Sequence, residues 1–194
     1  SKLQQEGKLK RASYNGWYCT PDETFWTEGE LGDAAKRSGG PLCPTCQRPL
    51  ESAQEEGWYL ELRSAQPWLK EFVRAHPTFV RPESRYNELA SLLEQPLPEY
   101  LCITRPRSRV NWGIEVPFSK DHVVYVWFDA LLNYITAPGY SVDQARFEQL
   151  WPADVHFIGK DILRHHAVYW PIMLHALGFS DEAMPKMIFA HGWW

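Results

Sequence analysis

Residues 121–190 alternate short apolar runs with helical segments, and that rhythm limits the fold more than anything else in the chain. The run at 123–127 reads as a strongly apolar strand, followed by a helix at 129–135, a loop at Pro138-Gly139 and a helix around 143–150. Then come a strand at 155–158, a helix over 162–178 and a strand at 187–190. Strands that are apolar on both faces and separated by helices belong to a parallel sheet covered on both sides. The expectation is therefore α/β: part of a doubly wound parallel sheet, with a mixed α/β insert in front of it and a division near residue 110.

The stretch 156–166 (His-Phe-Ile-Gly-Lys-Asp-Ile-Leu-Arg-His-His) is a strand running into a tight turn and a helix. In such sheets ligands bind beyond the carboxyl ends of strands, where a turn opens onto a helix start. Gly159 allows close backbone approach, Asp161 can accept hydrogen bonds from ribose hydroxyls, and His165 and His166 follow one turn later. A Gly-Lys-Asp turn alone carries little weight, and paired histidines also occur as ordinary helix-surface residues. A second strand end, at Trp127-Phe128-Asp129-Ala130, raises its significance. There Asp129 reads as an N-cap, and Trp127, Ala130 and Tyr134 fall where they can line one small apolar pocket. The plain alternative is that Asp129 only caps and Trp127 only packs.

The first half is built differently. Residues 14–51 are rich in Gly, Pro and Cys, with β-like pieces at 16–19 and 25–27 and a loop tip at 32–40. Cys19-Thr20-Pro21-Asp22 and Cys43-Pro44-Thr45-Cys46 are two x-x-spaced pairs, the arrangement by which two tight turns close a tetrahedral metal site. Three thiolates and a carboxylate suit zinc, although Asp22 stands where a fourth cysteine is usual; the other reading is a metal-free knuckle of reduced thiols. Beyond it lie a strand at 58–63, a helix from Pro67 to about Pro77, a helix over about 82–94 and a strand at 100–104. No internal repeat is present.

Composition removes several classes. At 194 residues the chain can bury a substantial core. Its net charge of −4 provides no global field for nucleic acid. The clusters Lys8, Lys10, Arg11 and Arg105, Arg107, Arg109 read first as solvated surface. No apolar run approaches the ~18 residues of a membrane span, and no signal-peptide pattern opens the chain. Four cysteines at these spacings suit a reducing, cytoplasmic setting. There is no nucleophile elbow, no H-E-x-x-H and no P-loop. Residues 1–7 read as the last turns of a helix and 187–194 as a strand with no closing element, so both ends are expected to continue into something longer.

Together, residues 14–19, 105–114, 125–134 and 156–161, with Trp170-Pro171 and 191–194, closely resemble methionyl-tRNA synthetases of the bacterial or organellar type. The likeness is collinear over essentially the whole chain. It implies a class I Rossmann catalytic domain interrupted by a connective-peptide insert with a zinc knuckle. On this reading 1–13 is the tail of the first catalytic half and 14–110 the insert, with its knuckle at about 14–51. Residues 111–194 are the second catalytic half, ending before the KMSKS loop. The family uses methionine and ATP (as its Mg complex) to form methionyl-adenylate, then charges tRNA(Met). Carried over by motif, Trp127, Ala130, Tyr134, Ile162 and His166 line the methionine pocket. Gly159, Asp161 and, less centrally, Lys160 face the adenosine; Cys19, Asp22, Cys43 and Cys46 hold a structural zinc. The HIGH and KMSKS motifs are not in this chain, so no catalytic residue is assigned and the chain by itself is expected to be inactive. The competing expectation is a zinc-stabilised module that binds RNA or protein.

Overall fold

The computed structural model describes residues 1–22, 24–26, 28–33, 37 and 39–193. Thr27, Trp194 and parts of the loop expected at 32–40 lie outside the described residues. After a short helix α1 (Lys2–Gln5), strand β1 (Leu9–Cys19) runs antiparallel to both β2 (Thr24–Trp26) and β3 (Glu51–Glu61). Helix α2 (Glu28–Leu31) follows β2, and β5 (Tyr100–Cys102) completes a four-stranded antiparallel sheet in the order β2-β1-β3-β5. The β1–β3 register, Leu9 opposite Leu60 through Tyr18 opposite Glu51, holds the knuckle end of the hairpin away from its core end.

Helix α3 (Gln66–Ala75) begins with Pro67 in its first turn, where a missing N–H costs nothing. It buries Leu69, Phe72 and Val73, and α4 (Glu83–Glu94) buries Leu89 and Leu93. Between them β4 (Val80–Arg81) pairs in parallel with β10 (Ile188–His191), which pairs in parallel with β9 (His156–Gly159). The parallel sheet expected from the apolar alternation is thus present, in the order β4-β10-β9. The division drawn near residue 110 does not coincide with it. Strand β4 comes from the earlier segment, and one core joins Leu60, Phe72 and Leu89 to Ile158, Trp170 and Ile188.

The apolar run at 123–127 differs from its expected form. Strand β8 (Ser119–Val124) is antiparallel, between β6 (Thr104–Pro106) and β7 (Glu115–Val116) in a separate three-stranded sheet. The chain turns helical at α5 (Val126–Thr136), with Tyr125 as N-cap. Asp129 is therefore not the cap but an acidic residue in the first turn, where the helix dipole favours it. Helix α6 (Gln144–Leu150) does start as expected, with the Asp143 carboxylate accepting from the Arg146 N–H at 3.1 Å. The helix expected over 162–178 is present as one continuous run that opens with a 3-10 turn (Lys160–Ile162), carries a π turn (His165–Tyr169) and ends in α7 (Trp170–Ala176).

Candidate functional site: an aromatic pocket and a metal knuckle

Helix α5 and the turn after β9 bring Tyr134 to His166 and Trp127 to His165. The Tyr134 hydroxyl lies 3.0 Å from His166 Nε2, and His166 Nδ1 lies 3.0 Å from the Ile162 carbonyl. A carbonyl only accepts, so Nδ1 carries the proton. A neutral ring then accepts at Nε2 from the Tyr134 hydroxyl. Burial favours that state, lowering the His166 pKa and raising that of Tyr134. Trp127, about two turns before Tyr134 on α5, stacks on His165 at 3.9 Å between ring centroids and 26° between planes. Ile162 is half-buried against the core, and Ala130 is exposed on α5 between the two aromatic residues.

Behind this layer sits a ring cluster that the sequence reading did not single out. His156 is buried, accepts from the Trp170 indole N–H at 3.2 Å, and lies 4.1 Å from the Tyr134 ring. Burial, helped by His166, pushes its pKa down to about 4. Burial brings His165 to about 4 as well, aided by His166 and Arg164 and opposed by Asp161. Three adjacent imidazoles are thus held neutral, which keeps the site apolar without removing its hydrogen-bonding nitrogens. An apolar strand with a histidine at its first position was the visible signal for His156.

At the carboxyl end of β9, Gly159 sits opposite His191 in the sheet. A Cβ on Gly159 would lie 2.6 Å from Asp161 Oδ1, so the glycine leaves room for the carboxylate to fold back over the turn. Asp161 itself is exposed. Lys160 places its ammonium 5.8 Å from the Trp193 ring centre.

The second site is the knuckle. Donor atoms of Cys19, Asp22, Cys43 and Cys46 all lie within 4.8 Å of one another. The Cys19 and Cys46 sulfurs are 3.4 Å apart, and Asp22 Oδ2 is 3.4 Å from Cys19 Sγ and 3.1 Å from Cys43 Sγ. Zinc–ligand bonds of about 2.0–2.3 Å at tetrahedral angles require donor separations of about 3.3–3.8 Å; the three distances of 3.1–3.4 Å lie near that range, and the set could hold a zinc. A tight turn shapes one half: Cys43 N–H donates to the Arg48 carbonyl at 2.8 Å and Gln47 N–H to the Cys43 carbonyl at 2.9 Å. Burial pushes the Cys19 thiol up to about 12, and thiol hydrogen bonds from Cys46 and Cys43 hold the Asp22 carboxyl below its usual range. The supporting core is small: Leu31 and Leu50 with the two buried cysteines, flanked by Trp17 and Trp26.

An α/β chain with an aromatic site beyond a parallel strand and a cysteine knuckle in an inserted sheet matches one sequence family. The family model described as tRNA synthetases class I (M) matches residues 1–194, and the chain belongs to that family. Among its relatives, the methionine–tRNA ligase of Clostridium tetani is 46% identical over 193 residues, covering 99% of this chain and 28% of the relative. That of Thermotoga maritima is 41% identical, covering 100% of this chain and 29% of the relative. A crystal structure of Mycobacterium tuberculosis methionyl-tRNA synthetase bound by methionyl-adenylate superimposes with a TM-score of 0.85 at 37% identity, covering 98% of this chain and 36% of that one. The chain thus spans less than a third of the length of the curated relatives it matches.

Proposed function

We propose that this chain forms part of the catalytic domain of a methionyl-tRNA synthetase, which activates methionine with ATP and transfers it to tRNA(Met). The observation that carries the reading is the Tyr134–His166 hydrogen bond, set among rings from α5 and the β9 turn in a family of class I tRNA synthetases. Trp127, Ala130, Tyr134, Ile162 and His166 form the amino-acid pocket. With the tyrosine proton already committed to His166, the pocket offers mainly ring faces and lone pairs, with the Trp127 indole N–H as a remaining donor. An unbranched side chain with a weakly accepting thioether suits such a lining, held by shape and dispersion.

Gly159 and Asp161 receive the adenosine, Asp161 accepting from the ribose hydroxyls, with Lys160 beside them. Holding carboxylate and nucleotide together supplies the proximity on which in-line attack at a phosphate depends. ATP enters as its Mg complex. Cys19, Asp22, Cys43 and Cys46 hold a zinc whose contribution is to fix the knuckle. Among the described residues no helix is long and apolar enough to cross a membrane, and the cytoplasm, which keeps thiols reduced, is the proposed setting.

The test is ATP–pyrophosphate exchange by the protein that carries this chain. Exchange dependent on methionine and abolished by His166→Ala is the expected result; exchange indifferent to methionine would sink the reading. The 194-residue chain by itself, in which neither HIGH nor KMSKS occurs, is expected to catalyse none.

A further inference from the structure

The knuckle does not treat its three thiols alike. Cys19 and Cys43 are fully buried, whereas Cys46 is partly exposed at the turn. Cys43 Sγ lies 3.1 Å from the Asp22 carboxylate, and Cys46 Sγ lies 3.4 Å from Cys19 Sγ. A disulfide bond is about 2.05 Å long, so these two sulfurs need to close by about 1.3 Å. Little opposes that movement, because the packing around the cysteines is the small cluster of Leu31, Leu50, Trp17 and Trp26. The remaining cysteine is placed differently. Cys102 on β5 donates its S–H to the Thr104 carbonyl at 3.2 Å and is not one of the clustered donors.

We propose that Cys46 and Cys19 form a redox pair that closes into a disulfide under peroxide and ejects the metal from the knuckle. The metal half of this inference rests on the zinc reading of the site. A metal-bound cysteine is a thiolate, the form that attacks peroxide, and Cys46 is the one within reach of solvent. Its sulfur takes one peroxide oxygen as the O–O bond breaks, giving a sulfenic acid and a hydroxide that leaves, protonated, as water. The Cys19 sulfur then attacks the Cys46 sulfur. The S–S bond forms, the S–O bond breaks, and a second hydroxide leaves as water. The two sulfurs lose two electrons and the peroxide gains them. Of the four donors Cys43 and Asp22 then remain, too few for a closed four-coordinate site. Disulfides in a reducing compartment are transient and redox-sensing, and exchange with a free thiol returns this pair to its reduced form.

The test uses the intact protein that carries this chain, loaded with zinc and treated with hydrogen peroxide. Zinc release is followed with a colorimetric chelator, and cysteine pairing by mass spectrometry of unreduced peptides. Zinc should leave in step with a Cys19–Cys46 link, the denatured protein becoming lighter by about 2 Da, the two hydrogens lost. Dithiothreitol followed by zinc should restore the starting state. Cys46→Ser, reloaded with zinc, should release it about tenfold more slowly or less, since the exposed sulfur is gone. Cys102→Ser should behave as the parent. Where Cys46→Ser does not retain zinc, the peptide map of the parent decides. Zinc retained while Cys46 is oxidised to its sulfinic acid would overturn the proposal, as would a disulfide joining Cys43 to Cys46. If the protein is purified without zinc, the zinc reading fails, and the peptide map still decides the sulfur pair.

Discussion

The knuckle and the aromatic pocket both bury titratable groups, and they keep them in opposite ways. In the knuckle, three thiols and a carboxylate converge within 4.8 Å on a core of little more than Leu31 and Leu50. That arrangement is at its most stable when the thiols lose their protons to a metal. In the pocket, His156, His165 and His166 are kept neutral by rings packed against the main core, and no added ion is needed. With the proposed zinc bound, one region would obtain its order from a ligand, the other from packing. They should therefore fail under different conditions.

Metal removal makes the largest difference. Structural zinc contributes about 10 kcal/mol or more in small sites. Chelation or Cys43→Ala should release the metal and raise hydrogen exchange in the knuckle, while exchange in β9 and β10 stays slow. Less than about half a zinc per purified chain, by elemental analysis, would break the contrast, because sites of this type bind tightly. Asp22→Cys should tighten binding if the carboxylate is a ligand.

Acid should act on the other region. His156 has its pKa lowered from 6.5 to about 4 in the folded state, so between those values the unfolded chain binds more protons. Its contribution to stability is complete above pH 6.5 and disappears as pH falls through about 4, a loss of about 2 kcal/mol by pH 5. Denaturant melts at pH 7 and 5 should show that loss together with a similar one from His165, and His156→Asn should remove the His156 share. A knuckle that melts first on acidification to pH 5 with zinc bound would contradict the assignment.

Two smaller effects sharpen the pocket. Gly159→Ala should cost about 1–2 kcal/mol, because the new methyl meets Asp161 Oδ1 at 2.6 Å and the carboxylate must leave the turn. The change should appear as a raised KM for ATP more than for methionine. Tyr134→Phe should weaken methionine binding by about 1 kcal/mol, the net worth of one hydrogen bond, measured by titration calorimetry.

How much of this was legible depended on how local each signal was. The knuckle was readable because x-x spacing is a property of adjacent residues, and the structure does bring Cys19, Asp22, Cys43 and Cys46 together. Strands β9 and β10 announced themselves by apolar runs. The run at 123–127 misled because it spans the end of β8 and the start of α5, and periodicity cannot divide so short a stretch. Strand β4 was invisible: two residues, Val80 and Arg81, carry no period, and only their pairing with Ile188 and Phe189 defines them. His165 and His166 were noticed as a doublet, but their separate partners depend on a backbone register set by tertiary packing.

That register rests on the π turn at His165–Tyr169, where the Trp170 N–H reaches back to the His165 carbonyl. The turn holds one residue more than an α-helix would need there. Deleting a single residue would give a smoother helix and rotate everything before it by about 100° relative to Trp170. His166 would then lose phase with Tyr134, and His165 with Trp127. The irregularity works like the notch on a key: filing it smooth would make a sturdier piece of metal that no longer turns the lock.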